Sequence, residues 1–396
     1  MPTPLNPALT IAGPALIMTR GKTFYSKGNV TVTQKIETFN VESARDGVIQ
    51  ERESNLSMEV KFTPVGRLDA LSILWPYALA ALGSLIHHAK TLGSIDTATD
   101  IVTLTAHGFR DGAPVRLASF GVLPAGTSAA TLYYLKKLSA DTFTLHPTAA
   151  DAAAGTNTVD ITDAGTGTHR IIEQEPLVVQ SFDGDIYTFH NSTLPAMPDL
   201  MASAIQTVIG DVTFECFRKF STAPTDAAAL YTKTTGAVTD TSFNPADIIT
   251  QAYDFSWGST APWAAMSTKA GIKCSFPLTT DPVMDDTGGI CSRRITQLAA
   301  TLTARPLNIG ADDIFAKLGL QGSGAGRGRS LSGTDVLKVS GTGLYVSLYG
   351  AFLKNPPVNF DAKEDRAGEL TWTASRTYTT GAANPLWAVG ATDPDA

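Results

Sequence analysis

The chain has 396 residues, 43% of them hydrophobic and 17% charged, with a net charge of −7. That balance excludes a disordered chain and argues for a packed core spread over two or three domains. A mildly acidic chain also lacks the basic patch needed to grip nucleic acid by its phosphates; it suits a surface that DNA passes without sticking.

The first 27 residues carry little periodicity, although "ALIMTRGKTFYS" reads as one strand. A long hairpin follows. Residues 29–41, "NVTVTQKIETFNV", and 48–62, "VIQERESNLSMEVKF", alternate with period two, and Asp46-Gly47 marks the turn. In the second strand Leu56, Met58, Val60 and Phe62 share one face; Glu51, Glu53, Glu59 and Lys61 share the other. The expected sheet has one packed face and one wet, acidic face, and it exceeds the usual strand length of about 5–6 residues. Residues 68–86, "LDALSILWPYALAALGSLI", read as a helical stretch broken at Pro76. Its apolar run is shorter than the ~20 residues that span a bilayer, so no membrane segment is expected.

The composition then shifts. Residues 96–172 are rich in Thr, Ala, Gly and Asp, with "IVTLTA", "APVRLAS", "LYYLKKLS", "TFTLHPT" and "THRII" as short strands between turns. This predicts a small all-β module set between a first part, 1–95, and a second, 173–396. Past Pro176, "LVVQSFDGDIYTFHN" reads as a hairpin with an Asp183-Gly184 turn, and residues 197–220 as strand-rich. Residues 221–290 read as loops around one short helix, "APTDAAALYTKT". "RRITQLAATLTARPLN", 293–308, predicts a long strand. "ADDIFAKLGLQG", 311–322, predicts a short helix with Ile314, Phe315 and Leu318 as its apolar stripe. "GSGAGRGRSLSG" lacks the Gly-Lys-Ser/Thr ending and the GxGxxG spacing of phosphate cradles, and reads as a connection. "DVLKVSG", "LYVSLYGAFLKN" and "GELTWTASRTY" close the chain as strands.

Residues for chemistry do not converge. Cys216, Cys274 and Cys291 fit neither a zinc site nor a disulfide framework, and read as reduced thiols of a chain made in a reducing compartment. No secretory leader is expected. His87, His88, His107, His146, His169 and His190 show no metal-ligand spacing, and no Gly-x-Ser-x-Gly elbow is present. Asp285-Asp286 reads as a turn, and Asp312-Asp313 as a helix start, where negative charge is favourable. Trp257 and Trp263 read as core or interface anchors ahead of a sugar platform. No enzyme activity, cofactor or metal is expected.

The order of pieces carries more. After the long hairpin stand "FTPVGRLDALSILWPYALAALGSLI", "FDGDIYTFHNSTLPAMPDL", "GDVTFECF", "SFNPADIITQAYDFSWGSTAPW" and "FAKLGLQGSGAGRGRSLSG", then the closing strands. This order resembles the major tail tube proteins of long, non-contractile-tailed bacteriophages over most of residues 20–380; it is a likeness of pattern and phrase, with no single diagnostic motif. "TLTAHGFRDGAPVRL", "GVLPAGTSAATLYYLKKLSADTFTLHPT" and "DITDAGTGTHRI" are similar to a small β module of many tailed-phage structural proteins.

The resemblance implies a mainly β fold: a β-sandwich or open barrel with a long hairpin, one or two flanking short helices and the inserted module as outer decoration. It implies hexameric rings stacked into a tube within the virion, made in the bacterial cytoplasm. The implied partners are further copies of the chain, a tape measure protein, a tail terminator and distal tail or baseplate proteins. DNA would pass the lumen without specific binding, and no membrane is involved. Glu37, Glu51, Glu53 and Glu59 would line the lumen, tempered by Lys35 and Lys61. Arg293 and Arg294 would sit at a subunit interface, paired with a neighbour's carboxylate. "RRITQLAATLTA" and "GELTWTASRTY" would supply more of the wall. The alternatives are a baseplate or tail-terminator ring protein, or a glycan-binding virion protein.

Overall fold

The computed structural model describes residues 8–65, 73–80, 89–217, 230–237, 253–318, 335–353 and 368–393, apart from gaps of one to three residues within these ranges. The protein is mainly β, built from several antiparallel sheets; among the described residues no sheet closes into a barrel and the helices are two short ones.

The long hairpin forms as its alternation predicts. Strands Val30–Ser43 and Gly47–Phe62 pair from Thr31↔Lys61 to Ser43↔Gly47. Gly47 takes φ +73° at the turn, a conformation glycine reaches without the steric cost other residues meet. The hairpin base lies in a five-stranded sheet ordered Ala8–Ile11, Val30–Ser43, Gly47–Phe62, Val212–Phe217, Asn191–Thr193. Val30, Val32, Val60, Phe62, Val212 and Phe214 are buried, and the Phe62 and Phe214 rings stack 6.2 Å apart. Each such side chain removed from water contributes about 1.5–3 kcal/mol. A second sheet, ordered Tyr231–Thr235, Asp185–Phe189, Leu177–Ser181, Ala15–Thr19, Lys22–Tyr25, adds Ala15, Ile17, Leu177, Val179 and Phe189 to the same core.

Residues 253–393 repeat this plan. Tyr253–Trp257, Leu337–Gly341, Leu344–Leu348 and Trp387–Gly390 form one sheet. Thr268–Ser275, Thr301–Pro306, Leu370–Thr373 and Phe352–Leu353 lie side by side in the other, from which a hairpin of Leu278–Asp285 and Gly289–Leu298 projects. The halves interlock: Leu200–Ala202 of the first pairs with Thr268–Ser275 of the second. Trp75 of the first half lies 5.8 Å from Phe276, and the Trp387 indole donates to the Trp75 carbonyl.

Several local expectations change. Most of the helical stretch at 68–86 lies outside the described residues; its described part, 73–78, is a 3-10 turn and bends that bury Trp75 and Tyr77. "YTKT" within 221–290 belongs to strand Tyr231–Thr235 rather than a helix, and that region also holds Tyr253–Trp257, Thr268–Ser275 and Leu278–Asp285. The long strand expected at 293–308 breaks at Ala299-Ala300. The short helix is present at Ala311–Lys317, where the Asp313 carboxylate accepts from the Gly310 amide at 2.8 Å.

The middle module is one seven-stranded sheet with its own core around Val102, Phe109, Val115, Leu135, Phe143, Leu145 and Ile171. Its sheet starts ahead of residue 96, because Ala89–Thr91 pairs with His169–Glu173. It is not purely β: Ala149–Ala154 is helical, capped by the Thr148 side chain and ended by Gly155 at φ +68°. Its "PAGT" turn depends on Gly126, at φ +89°, where a Cβ would meet the Asp160 carbonyl oxygen at 1.9 Å. Gly126→Ala is expected to cost about 1–3 kcal/mol from backbone strain alone. Hydrogen exchange should then quicken across 89–173 while the remaining strands keep their protection.

Candidate assembly surface

The hairpin base is embedded, and its outer part is not. Among the described residues, Ala8–Ile11 reaches only Val30–Thr33 along one edge, and Val212–Phe217 reaches only Met58–Phe62 along the other. Beyond Gln34 and Met58 the two strands pair only with each other among the described residues. Ile36, Val48 and Ile49 stand 51%, 54% and 63% exposed there. An extended ribbon with open edges and exposed β-branched residues invites pairing with another chain.

The four glutamates do not form one face. Glu59 is ion-paired with Lys35. Glu51 accepts from the Thr38 hydroxyl at 2.5 Å. Lys35 and Thr38 are three residues apart on a regular strand, so they point to opposite sides. The register shifts between Glu37 and Thr38, where Gly47–Phe62 carries an extra residue, Ser54. A bulge of this kind reverses the alternation beyond it. Glu51 and Glu59 therefore lie on opposite faces, which corrects the single acidic face. Glu37 stands opposite Asn55 and Glu53 opposite Thr38 in the register; their side chains lie outside the described ones. Lys61 pairs with Asp211 at 2.9 Å. Hydrogen bonds from Lys61 and from Thr63 hold Asp211 below the usual carboxylate range, and the same bond raises Lys61. The Asp211 contribution is present above the ordinary carboxylate range and is lost as pH falls through its lowered value.

Arg293 also departs from expectation. It is committed within the chain: its Nε and Nη2 both donate to Glu215, the second at 2.8 Å to Oε1. Glu215 is buried, so a forked, charge-assisted pair is what makes its burial tolerable. This pair fixes the second hairpin to the first half, where Gly289–Leu298 also contacts Gly47–Phe62. Arg294 is exposed. The two other expected wall segments meet each other: Thr301↔Thr373 through Ala304↔Leu370.

The described histidines of the middle module are hydrogen-bonded within it. His107 bonds the Ser139 carbonyl at 3.1 Å, and His146 bonds the Thr156 carbonyl at 2.6 Å; both are buried in the module. His169 bonds Ser119 at 2.9 Å. His87, His88 and His190 lie outside the described residues. Among the described residues no three His, Cys, Asp or Glu groups converge on a metal site. Cys216 and Cys274 are buried free thiols, and desolvation pushes Cys274 up to about 12. The side chain of Cys291 lies outside the described ones, as do Asp286 and the Asp285 side chain. Trp257 and Trp263 are buried and meet edge to face at 5.1 Å, with the Lys317 ammonium 4.9 Å from the Trp257 ring. They are core anchors, and neither offers a sugar an open ring face.

Sequence reasoning missed Glu215, Ser57 and Thr193, three buried polar residues on the face that Glu59 occupies. The signal was the even polarity of "VTFECF", which puts Glu215 on the side opposite Phe214. No helix of the described residues is long and apolar enough to cross a membrane. No protein-family model and no curated protein matches the chain.

Proposed function

We propose that the chain is a structural subunit of a phage tail that assembles with copies of itself into stacked rings, forming a tube through which DNA passes. The observation that carries this is the outer part of the long hairpin. A paired ribbon exposing Ile36, Val48 and Ile49 beyond its own sheet has a use only once another chain covers it. The net charge of −7 suits a wall that phosphate slides past. The resemblance in chain order adds a tape measure protein, a terminator and distal tail proteins as partners, and the virion as the place. The bulge means that the four hairpin glutamates cannot line one lumen together. The glycan-binding alternative is disfavoured by the burial of both tryptophans.

Negative-stain electron microscopy over a concentration series tests the proposal. Hollow stacked rings that lengthen with concentration are expected. Single closed rings would move the assignment to a terminator or baseplate part. A monomer at every concentration and salt would overturn self-assembly.

A further inference from the structure

We infer that the chain is a tandem repeat, and that copies join by laying the first hairpin of one chain on the second half of the next. The contact repeats the one by which the second hairpin lies on the first half within a chain. The inference rests on the proposal that the chain assembles with itself.

The repeat shows in the register. The first hairpin opens at the Ser26↔Pro64 bridge and the second at Thr268↔Pro306. Thr33↔Glu59 matches Ser275↔Thr301, Ile36↔Leu56 matches Leu278↔Leu298, and Ser43↔Gly47 matches Asp285↔Gly289, all at one constant offset with no gap. Both register shifts match too: those at Glu37/Thr38 and Val41/Glu42 recur at Thr279/Thr280 and Val283/Met284. Bulges are specific features, and two at the same places do not arise from generic hairpin geometry. The Thr38, Val41, Gly47, Arg52, Leu56 and Pro64 positions hold the same residues in the second copy: Thr280, Val283, Gly289, Arg294, Leu298 and Pro306. The flanking strands agree: Val60↔Phe214 corresponds to Leu302↔Trp372, and "GDVTFEC" to "GELTWTA".

The equivalence exposes an asymmetry. In the first half Ser57, Thr193 and Glu215 are buried at 2%, 1% and 5%, with Arg293 of the second hairpin on Glu215. Their equivalents Ala299, Phe352 and Thr373 are only half-buried. The same surface is closed off in one half and only partly covered in the other. The hairpins differ likewise at matched positions described on both: Ile36 stands exposed where Leu278 packs partly buried against the core, and Glu51 is exposed where Arg293 is partly buried. A partly covered surface and a hairpin of matching register with its outer part exposed, both on one molecule, allow a head-to-tail contact between copies. The chemistry at its centre is compatible. Arg293, opposite Pro282, is replaced by Glu51, opposite Asn40, while Glu215 is replaced by Thr373. The incoming carboxylate thus meets a hydroxyl and not a second carboxylate. Each chain then contributes two equivalent units to any ring it forms.

The test mixes two chains, one carrying Glu51→Cys and the other Thr373→Cys, both in a Cys291→Ser background. Cys216 and Cys274 are buried, and burial keeps both thiols from ionising. Because the matching Arg293–Glu215 contact is made by the ends of two long side chains, beyond disulfide reach, a short bis-maleimide cross-linker is applied to the assembled mixture and is expected to give a covalent dimer that needs both chains. Hydrogen exchange on the unsubstituted chain is expected to slow on assembly at both Gly47–Phe62 and Leu370–Thr373. Assembly with neither the link nor protection at Leu370–Thr373 would overturn this contact and leave the tube proposal standing. A chain that stays monomeric throughout would overturn both.

Discussion

Arg293→Ala lowers the stability of the folded chain by about 3–5 kcal/mol, the loss that follows when one partner of a buried ion pair is removed. Glu215 is buried, and Arg293 reaches both of its carboxylate oxygens. Without the guanidinium, Glu215 keeps its desolvation and loses its counter-charge. It also stands directly across the ladder from Glu59, and like charges so placed repel. Lys35 is already engaged with Glu59. The double substitution Arg293→Met with Glu215→Met should restore most of the loss, because two apolar groups of similar size leave no charge unpaired. Chemical denaturation of both variants checks this, with the first transition read separately because two halves need not melt together. Hydrogen exchange should quicken at Gly289–Leu298 in the single variant, since the pair ties that hairpin to the first half. A single variant within about 0.5 kcal/mol of the parent, the range of surface substitutions, would show that the pair is dispensable.

What the sequence discloses depends on how far apart the deciding residues lie. The long hairpin is legible because its alternation and Gly47 are local. Its faces are not legible past Leu56, because the extra Ser54 shows only once the partner strand is in register. Counting by twos through a bulge moves Glu51 to the wrong side. Strands Thr268–Ser275 and Leu278–Asp285 were hidden by Gly271, Pro277 and Pro282, which read as loop punctuation. Pro282 is tolerated because its strand pairs with only one neighbour among the described residues, so no second ladder calls for its missing N–H. Glu215 and Arg293 lie in distant segments, and nothing local joins them. The repeat is faint in the letters because few positions are identical and the likeness lies in the pattern of apolar positions, such as Val30 with Ile272 and Val60 with Leu302. A binary pattern at the right size is enough to rebuild the same sheet.

Trp372 tests how far that interchangeability goes. Its side chain is fully buried, edge-on to Phe255 at 5.6 Å and to Trp257 at 5.9 Å. Trp372→Ala should therefore cost about 3–5 kcal/mol, through lost contacts and the cavity left behind. Trp372→Phe should cost far less, within about 1.5 kcal/mol, for two reasons. The equivalent position in the first half is Phe214, which fills its core by stacking on Phe62. In addition, the Trp372 indole N–H has no hydrogen-bond partner among the described residues, and removing an unsatisfied buried donor recovers part of what the smaller ring loses. Denaturation midpoints for the parent and both variants decide the matter. If Trp372→Phe falls as far as Trp372→Ala, the second core has been fitted to the larger ring, and the two halves share a backbone plan without sharing a tolerant interior.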